Sequence, residues 1–202
     1  MVRAFADITF TESVKAAQQR YGSREQNLHF EKSDDPRNRI GEKERQFIET
    51  RDSFYQATVA ENGWPYVQHR GGPAGFLRVL DERTFGYADF RGNFQYISVG
   101  NINNDERVSL ILMDYPNRRR LKIWGHARVV HTQDDPELLR SLQNAGYNAY
   151  VERGILIHVD ALEWNCPQHI TQRFTEAEVK QAVAPLLAEI EELKSLLATY
   201  QQ

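Results

Sequence analysis

Cysteine is almost absent. Cys166 is the only one in 202 residues, so no disulfide can close within the chain and no cysteine-rich zinc site can form. Long apolar runs are also missing, and nothing approaches the roughly 18 consecutive apolar residues of a membrane-spanning helix. The opening MVRAFADITF has no apolar stretch of signal-peptide type. Neither sign of charge dominates. The net charge is −3 at pH 7, which provides no bulk basic field for nucleic acid. The short motifs HExxH, GxSxG, GxxxxGK[ST] and GxGxxG do not occur, which removes the common zinc protease, hydrolase and nucleotide-loop chemistries. These absences predict a cytoplasmic protein without a membrane or nucleic-acid partner. The 41% of hydrophobic residues is enough for a packed core.

What is present falls into three parts. Residues 1–46 read as helices and a linker. Thr9 and Glu12 have capping-box spacing, which predicts a helix running to about Tyr21 before Gly22. The charged EKSDDPRNR at 31–39, with Pro36, reads as an exposed linker. Glu42 to Thr50 predicts a short helix that turns Phe47 and Ile48 inward.

Residues 47–170 change character. FYQATVA (54–60), WPYVQHR (64–70), FLRVL (76–80), RVSLILM (107–113), LKIWGHARVV (121–130) and ILIHVDALEW (155–164) all suit strands. Asn62-Gly63 is a hairpin signal. Residues 134–143 read as a helix with Pro136 in its first turn. Six strands joined mostly by hairpins predict a mainly β fold with flanking helices (α+β), built on a six-stranded antiparallel barrel.

Residues 171–202 read as one long amphipathic helix. Thr175 and Glu178 repeat the capping-box spacing. Val179, Val183, Leu186, Ile190, Leu193 and Leu197 then recur at steps of 4, 3, 4, 3 and 4, a heptad stripe. Pro185 should bend this helix or begin a second one. The stripe fits either a helix lying on its own barrel or one packing on a partner subunit.

The chemistry-bearing residues cluster in four places. In WPYVQHRGGPAGFLRVLD (64–81), strand alternation puts Gln68 and Arg70 on one face and His69 on the other. Arg70 can bind phosphate bidentately, and Gln68 offers both a donor and an acceptor. The bare backbone that follows, from Gly71 to Gly75, is either a wide loop or a close approach to a ligand. The second place, ADFRGNFQYISVGNI (88–102), is rich in hydrogen-bonding side chains: Asp89, Arg91, Asn93, Gln95, Tyr96, Ser98 and Asn101. A short helix opening near Ser98 would offer free N–H groups to an anion, and a polar crossover loop is the plainer reading. The third, Arg118 to Arg120, is an exposed basic turn or a phosphate contact. In the fourth, Cys166 and His169 stand three apart after a strand, without an evident third group to orient them.

Taken in order, residues 47–130 resemble the pyridoxamine 5′-phosphate oxidase-like family of FMN-binding split barrels. FIETRDSFYQATVAENGWPYVQHRGG is similar to the family's opening helix and first hairpin. YADFRGNFQYISVGNINNDERVSLILM is similar to its phosphate-binding strand and short helix. RRRLKIWGHARVV is similar to its Arg-Gln-x-x-x-x-Gly-x-Ala strand. The resemblance implies a six-stranded split barrel, with FMN bound at the interface of a homodimer. It implies flavin contacts from Gln68, His69, Arg70 and Gly71, and ring contacts from the backbone of Asp89 and Phe90. It places Asn93, Gln95, Tyr96 and Ser98 in the phosphate segment and Arg120 against the flavin. The implied activity is that of an oxidoreductase passing electrons from a reduced donor to a small acceptor. Two alternatives stay open. One is a flavin carrier or redox sensor without turnover. The other is a related barrel holding haem or a deazaflavin, with His69, His126, His131, His158 and His169 as candidate axial ligands. Pro73 stands where the true oxidase has a lysine, and the Arg-x-His ending is absent, so oxidation of pyridoxamine phosphate is not expected.

Overall fold

The computed structural model describes residues 4–32 and 37–200. They divide into two compact units. One runs to Met113 and resumes over Arg120–Cys166; the other joins Asp114–Arg119 to Pro167–Gln202.

The first unit begins with helices α1 (Ala4–Thr9), α2 (Glu12–Arg20), α3 (Arg24–Lys32) and α4 (Glu42–Glu49). Thr11, not Thr9, caps α2, its hydroxyl accepting from the Val14 N–H at 3.4 Å. Thr9 instead closes α1 by donating to the Phe5 carbonyl at 2.7 Å. Of the expected linker, Glu31 and Lys32 belong to α3, and residues 33–36 lie outside the described residues. Phe5, Phe10 and Phe30 pack ring to ring, and Phe5 reaches Trp124 of the sheet at 5.5 Å. The α4 helix buries Phe47 and Ile48, as its pattern predicts.

The sheet has seven strands: β1 (Ser53–Val59), β2 (Pro65–Gly71), β3 (Leu77–Val79), β4 (Thr84–Phe90), β5 (Arg107–Asp114), β6 (Arg119–Val130) and β7 (Val151–Trp164). Helix α5 (Ile97–Asn104) precedes β5, and α6 (Pro136–Ser141) follows β6. The strand order is β2-β1-β5-β6-β7-β4-β3, and the pairings recorded along it are antiparallel. In β1 the alternation works as expected: Phe54, Gln56 and Thr58 are buried and Tyr55 is exposed. The strand absent from the expected six is β4. Its residues Phe85 to Asp89 are all buried, so it shows no alternation, and Gly86 interrupts its apolar pattern.

Side chains, rather than backbone, draw the ends of this sheet together. The Tyr87 hydroxyl of β4 donates to Gln56 Oε1 of β1 at 2.8 Å, and Arg70 of β2 pairs with Asp89 of β4 at 2.6 Å. The Phe54 ring meets Tyr87 at 5.3 Å and Phe76 at 6.0 Å. This curls the strands around Leu112, Leu121, Ile123, Ile155 and Ile157, all at 0% exposure. Burying each such side chain contributes about 1.5–3 kcal/mol.

The second unit is dominated by α7 (Glu176–Tyr200). Its capping box forms reciprocally: the Thr175 N–H donates to Glu178 Oε2 at 2.7 Å, and the Glu178 N–H donates to Thr175 Oγ1 at 3.2 Å. Pro185 lies inside one continuous helix and starts no second one. Every residue of α7 is exposed. No helix among the described residues is long and apolar enough to cross a membrane.

Candidate functional site: a cleft floored by arginine

The hairpin β1–β2 fixes the first wall. Register pairs Gln56 with Gln68 and Phe54 with Arg70, so Tyr66, Gln68 and Arg70 alternate toward one face while Val67 and His69 are exposed on the other. The His69 ring meets Tyr55 there, 5.5 Å between centroids. Gly71 ends the strand, and Gly72 follows it. A Cβ on Gly72 would come within 2.8 Å of Phe76 Cγ. The bare backbone of this loop is therefore needed, at Gly72, by the protein's own core.

Two adjoining clefts share Gln68, Arg70, Asp89 and Phe90. The first, of about 50 Å³, is also lined by Asn93, Gln95, Tyr96 and Ser98. The second, of about 180 Å³, adds His69, Gly71 and Tyr87. Ten of the eleven residues implicated by sequence thus border one groove. The exception is Arg120, which lines neither cleft. It donates to Asn165 Oδ1, and its Nε is buried without a partner. Cys166 is exposed and also lines neither cleft.

Charge is organised around Asp89. Its carboxylate accepts from Arg70 at 2.6 Å and lies 3.7 Å from Arg153 Nε. Burial raises its pKa above the ordinary carboxylate value, against the pull of Arg70 and Arg153 and with the help of Glu152. Glu152 in turn pairs with Arg153, accepts from Arg91 Nε at 3.2 Å and accepts from the Tyr96 hydroxyl at 3.3 Å. The Arg153 guanidinium stacks over the Tyr96 ring at 4.9 Å. Tyr87 is fully buried, and desolvation drives its phenol far above its usual pKa.

Helix α5 opens on the same groove, with Ile97, Ser98 and Val99 among its lining. Its N-cap, Tyr96, is left-handed at φ 53° and makes no side-chain cap. The first-turn N–H groups of a helix have no intrahelical partners, and here no capping side chain takes them. Ser98 is buried and donates to Gln68 Oε1 at 2.8 Å, so it holds Gln68 in place. Asn101 anchors the helix to β1 by donating to Thr58 Oγ1 at 2.9 Å. The groove thus combines backbone donors, a guanidinium and an amide, a set suited to a phosphate monoester.

Sequence reasoning missed Tyr66, Glu152 and Arg153. Tyr66 shares the alternation of Gln68 and Arg70 and could have been found that way. Glu152 and Arg153 carry no local signal; they reach the site through the β4–β7 ladder, where Arg153 faces Asp89. A separate and larger cavity of about 490 Å³ is lined in part by Asp81, Glu106, His126, Arg128 and His158. His126 is held there by Asp160, 2.5 Å from its Nδ1. Among the described residues, no group of three or more His, Cys, Asp or Glu is placed to hold a metal ion.

A family model described as pyridoxamine 5′-phosphate oxidase matches residues 40–165. Among solved structures, the chain is similar to HupZ of Group A Streptococcus. That match has 18% identity and a TM-score of 0.50, covering 67% of this chain and 99% of that one. It is also similar to an FMN-binding protein of Syntrophomonas wolfei subsp. wolfei, with 13% identity and a TM-score of 0.46 over 77% and 96% of the two chains. At 18% identity the HupZ likeness speaks to the fold: a split barrel with flanking helices. No curated protein matches the chain.

Proposed function

The chain belongs to the pyridoxamine 5′-phosphate oxidase family, and from this premise we propose that it is an FMN-binding oxidoreductase. In this reading the groove beside α5 takes the cofactor. The flavin supplies hydride and electron transfer, from a reduced donor to a small acceptor; the chain supplies binding, orientation and polar contacts. The observation that carries the reading is the uncapped first turn of α5, opening on the cleft floored by Arg70.

The residues present fit the group. The N–H groups of Ile97, Ser98 and Val99, with Asn93 and Gln95, would hold the phosphate. Gln68, fixed by Ser98, would present its amide to the ring edge, and Arg70, fixed by Asp89, would supply a cation without moving. The backbone of Asp89 and Phe90, with His69 and Gly71 at the strand end, would border the ring.

Enclosure is incomplete within one chain. The clefts, of about 50 and 180 Å³, fall short of the ~300–1,000 Å³ that encloses a small ligand. Exposed Phe94 and Ile97 border the first of them. A second subunit covering this face would complete the site and form a homodimer. Arg120, which lines neither cleft of its own chain, would then contact the flavin across the subunit boundary. The lone cysteine fits a reducing compartment such as the cytoplasm.

The test is the visible absorption spectrum of the purified protein, with mass spectrometry of the released ligand. Flavin bands and the mass of FMN are expected. A colourless protein that takes up no added FMN would overturn the reading. Bound flavin with no turnover against any reduced donor would leave a carrier.

A further inference from the structure

Helix α7 presents an unpartnered apolar stripe. Leu186, Ile190 and Leu193 are 57%, 46% and 52% exposed, and Val179, Val183, Leu197 and Tyr200 on the same stripe are exposed too. The helix has 25 residues, about 38 Å at 1.5 Å per residue. Such a stripe is costly to leave in water, and its details specify what covers it.

We infer that α7 pairs in parallel with α7 of a second copy of this chain, as a two-stranded coiled coil. The inference stands independently of the flavin. Its basis is the identity of the heptad positions. The spacing assigns Val183, Ile190 and Leu197 to position a and Val179, Leu186, Leu193 and Tyr200 to position d. A β-branched residue at two of the three a positions, with leucine at the central d positions, is the pattern that favours two parallel strands.

Charge fixes the direction. Glu189 falls at g and Lys194 at the following e, the two positions that meet between parallel chains. Both are exposed, and within its own chain Lys194 only leans on Glu191, 3.4 Å away. The next pair along, Ala182 at g and Leu187 at e, is apolar on both sides. An antiparallel pairing that sets Ile190 against Leu186 of the second copy would place Lys180 opposite Lys194 and Glu189 opposite Glu189, like against like. Pro185 falls at position c, away from the seam, so its missing N–H does not disturb the contact. A bilayer surface is the poorer occupant: five glutamates against two lysines would be repelled by anionic lipid.

Cysteine cross-linking of the full chain, in a Cys166→Ser background, tests this. Leu193→Cys should form an intermolecular disulfide on mild oxidation, since facing d residues approach within the roughly 7 Å between Cα atoms that a disulfide tolerates. Ser195→Cys, on the outer face, should not. Glu189→Lys should lower the cross-linked fraction at least several-fold, and Glu189→Lys with Lys194→Glu should restore it. Three results would overturn the proposal. One is equal cross-linking at 193 and 195. Another is a disulfide formed only between Val183→Cys and Leu193→Cys chains, the antiparallel signature. The third is a dimer by light scattering in which Leu193→Cys stays reduced. FMN content read in the same samples separates this result from the fate of the flavin assignment.

Discussion

Arg70 and Asp89 form an ion pair 2.6 Å long, with side chains only 14% and 7% exposed, between an edge strand and a strand near the far end of the sheet. This contact therefore helps to close the barrel and sets the floor of the groove. The Arg70 Nε is buried without a protein partner, so the guanidinium is held by Asp89 and retains unused donor capacity. Stability and the geometry of the groove are linked here through a single carboxylate.

That carboxylate should leave a signature in the pH dependence of stability. Its folded pKa is raised above the ordinary 3.8. Below that value both folded and unfolded states carry the proton. As pH rises toward the folded value, the unfolded chain ionises first, so stability present at low pH is lost, at no more than about 1.4 kcal/mol per pH unit. Asp89→Asn removes this titration and adds a pH-independent cost for the unpaired Arg70. Urea unfolding from pH 3 to 7 should show the wild-type advantage over Asp89→Asn shrinking as pH rises. An advantage that grows with pH would mean the ion pairs outweigh burial.

Tyr87→Phe should cost about 1–3 kcal/mol, because it strands Gln56 Oε1 at 0% exposure. Gln56 Nε2 already lacks a protein partner, so the amide would be left without its Tyr87 anchor at one end and unpaired at the other. Removing both polar groups, as Tyr87→Phe with Gln56→Leu, should recover part of the loss. Chemical denaturation of the three variants checks this; a double variant weaker than Tyr87→Phe alone would assign the pair a different role.

Two glycines should respond in opposite ways. At Gly125, beside the bulge in the β6–β7 ladder, a Cβ would collide with the His158 carbonyl oxygen and lie only 3.1 Å from the carbonyl carbon. Backbone cannot yield there, and Gly125→Ala should lower stability by about 3 kcal/mol or abolish soluble expression. A Cβ placed on Gly100 in α5 would meet nothing within 4 Å, and Gly100→Ala should raise stability by about 0.5–1 kcal/mol. Thermal melts decide both.

Much of this architecture was legible in the residues. Alternation places Gln68 and Arg70 together, Asn62-Gly63 marks the first hairpin, and the Thr175–Glu178 box starts α7. What failed to show has common physical causes. Strand β4 is buried on both faces and so carries no period of two. Thr9 and Thr11 are both capable caps, and only the end of α1 decides between them. Arg153 meets Asp89, and Glu152 meets Arg91, across more than sixty residues of chain, a distance no local pattern spans. The glycines from 71 to 75 read equally as a wide loop or a ligand approach, and no local pattern shows that at Gly72 it is Phe76 that needs the bare backbone.

The proposed site makes its own predictions. Gln68→Ala, or Ser98→Ala, which frees Gln68, should each weaken FMN binding about tenfold, the worth of one or two hydrogen bonds. Arg120→Ala should weaken it as well, although Arg120 lines neither cleft of its own chain. Mixing distinguishes where Arg120 acts. If it reaches across a two-fold interface, a dimer of one Gln68→Ala chain and one Arg120→Ala chain keeps one intact site. Random re-association should then restore tight binding to on the order of a quarter of all sites. If Arg120 serves its own chain, no mixed dimer holds an intact site and titration with FMN shows no recovery. Unchanged affinity in all three single variants would move the cofactor out of this groove altogether.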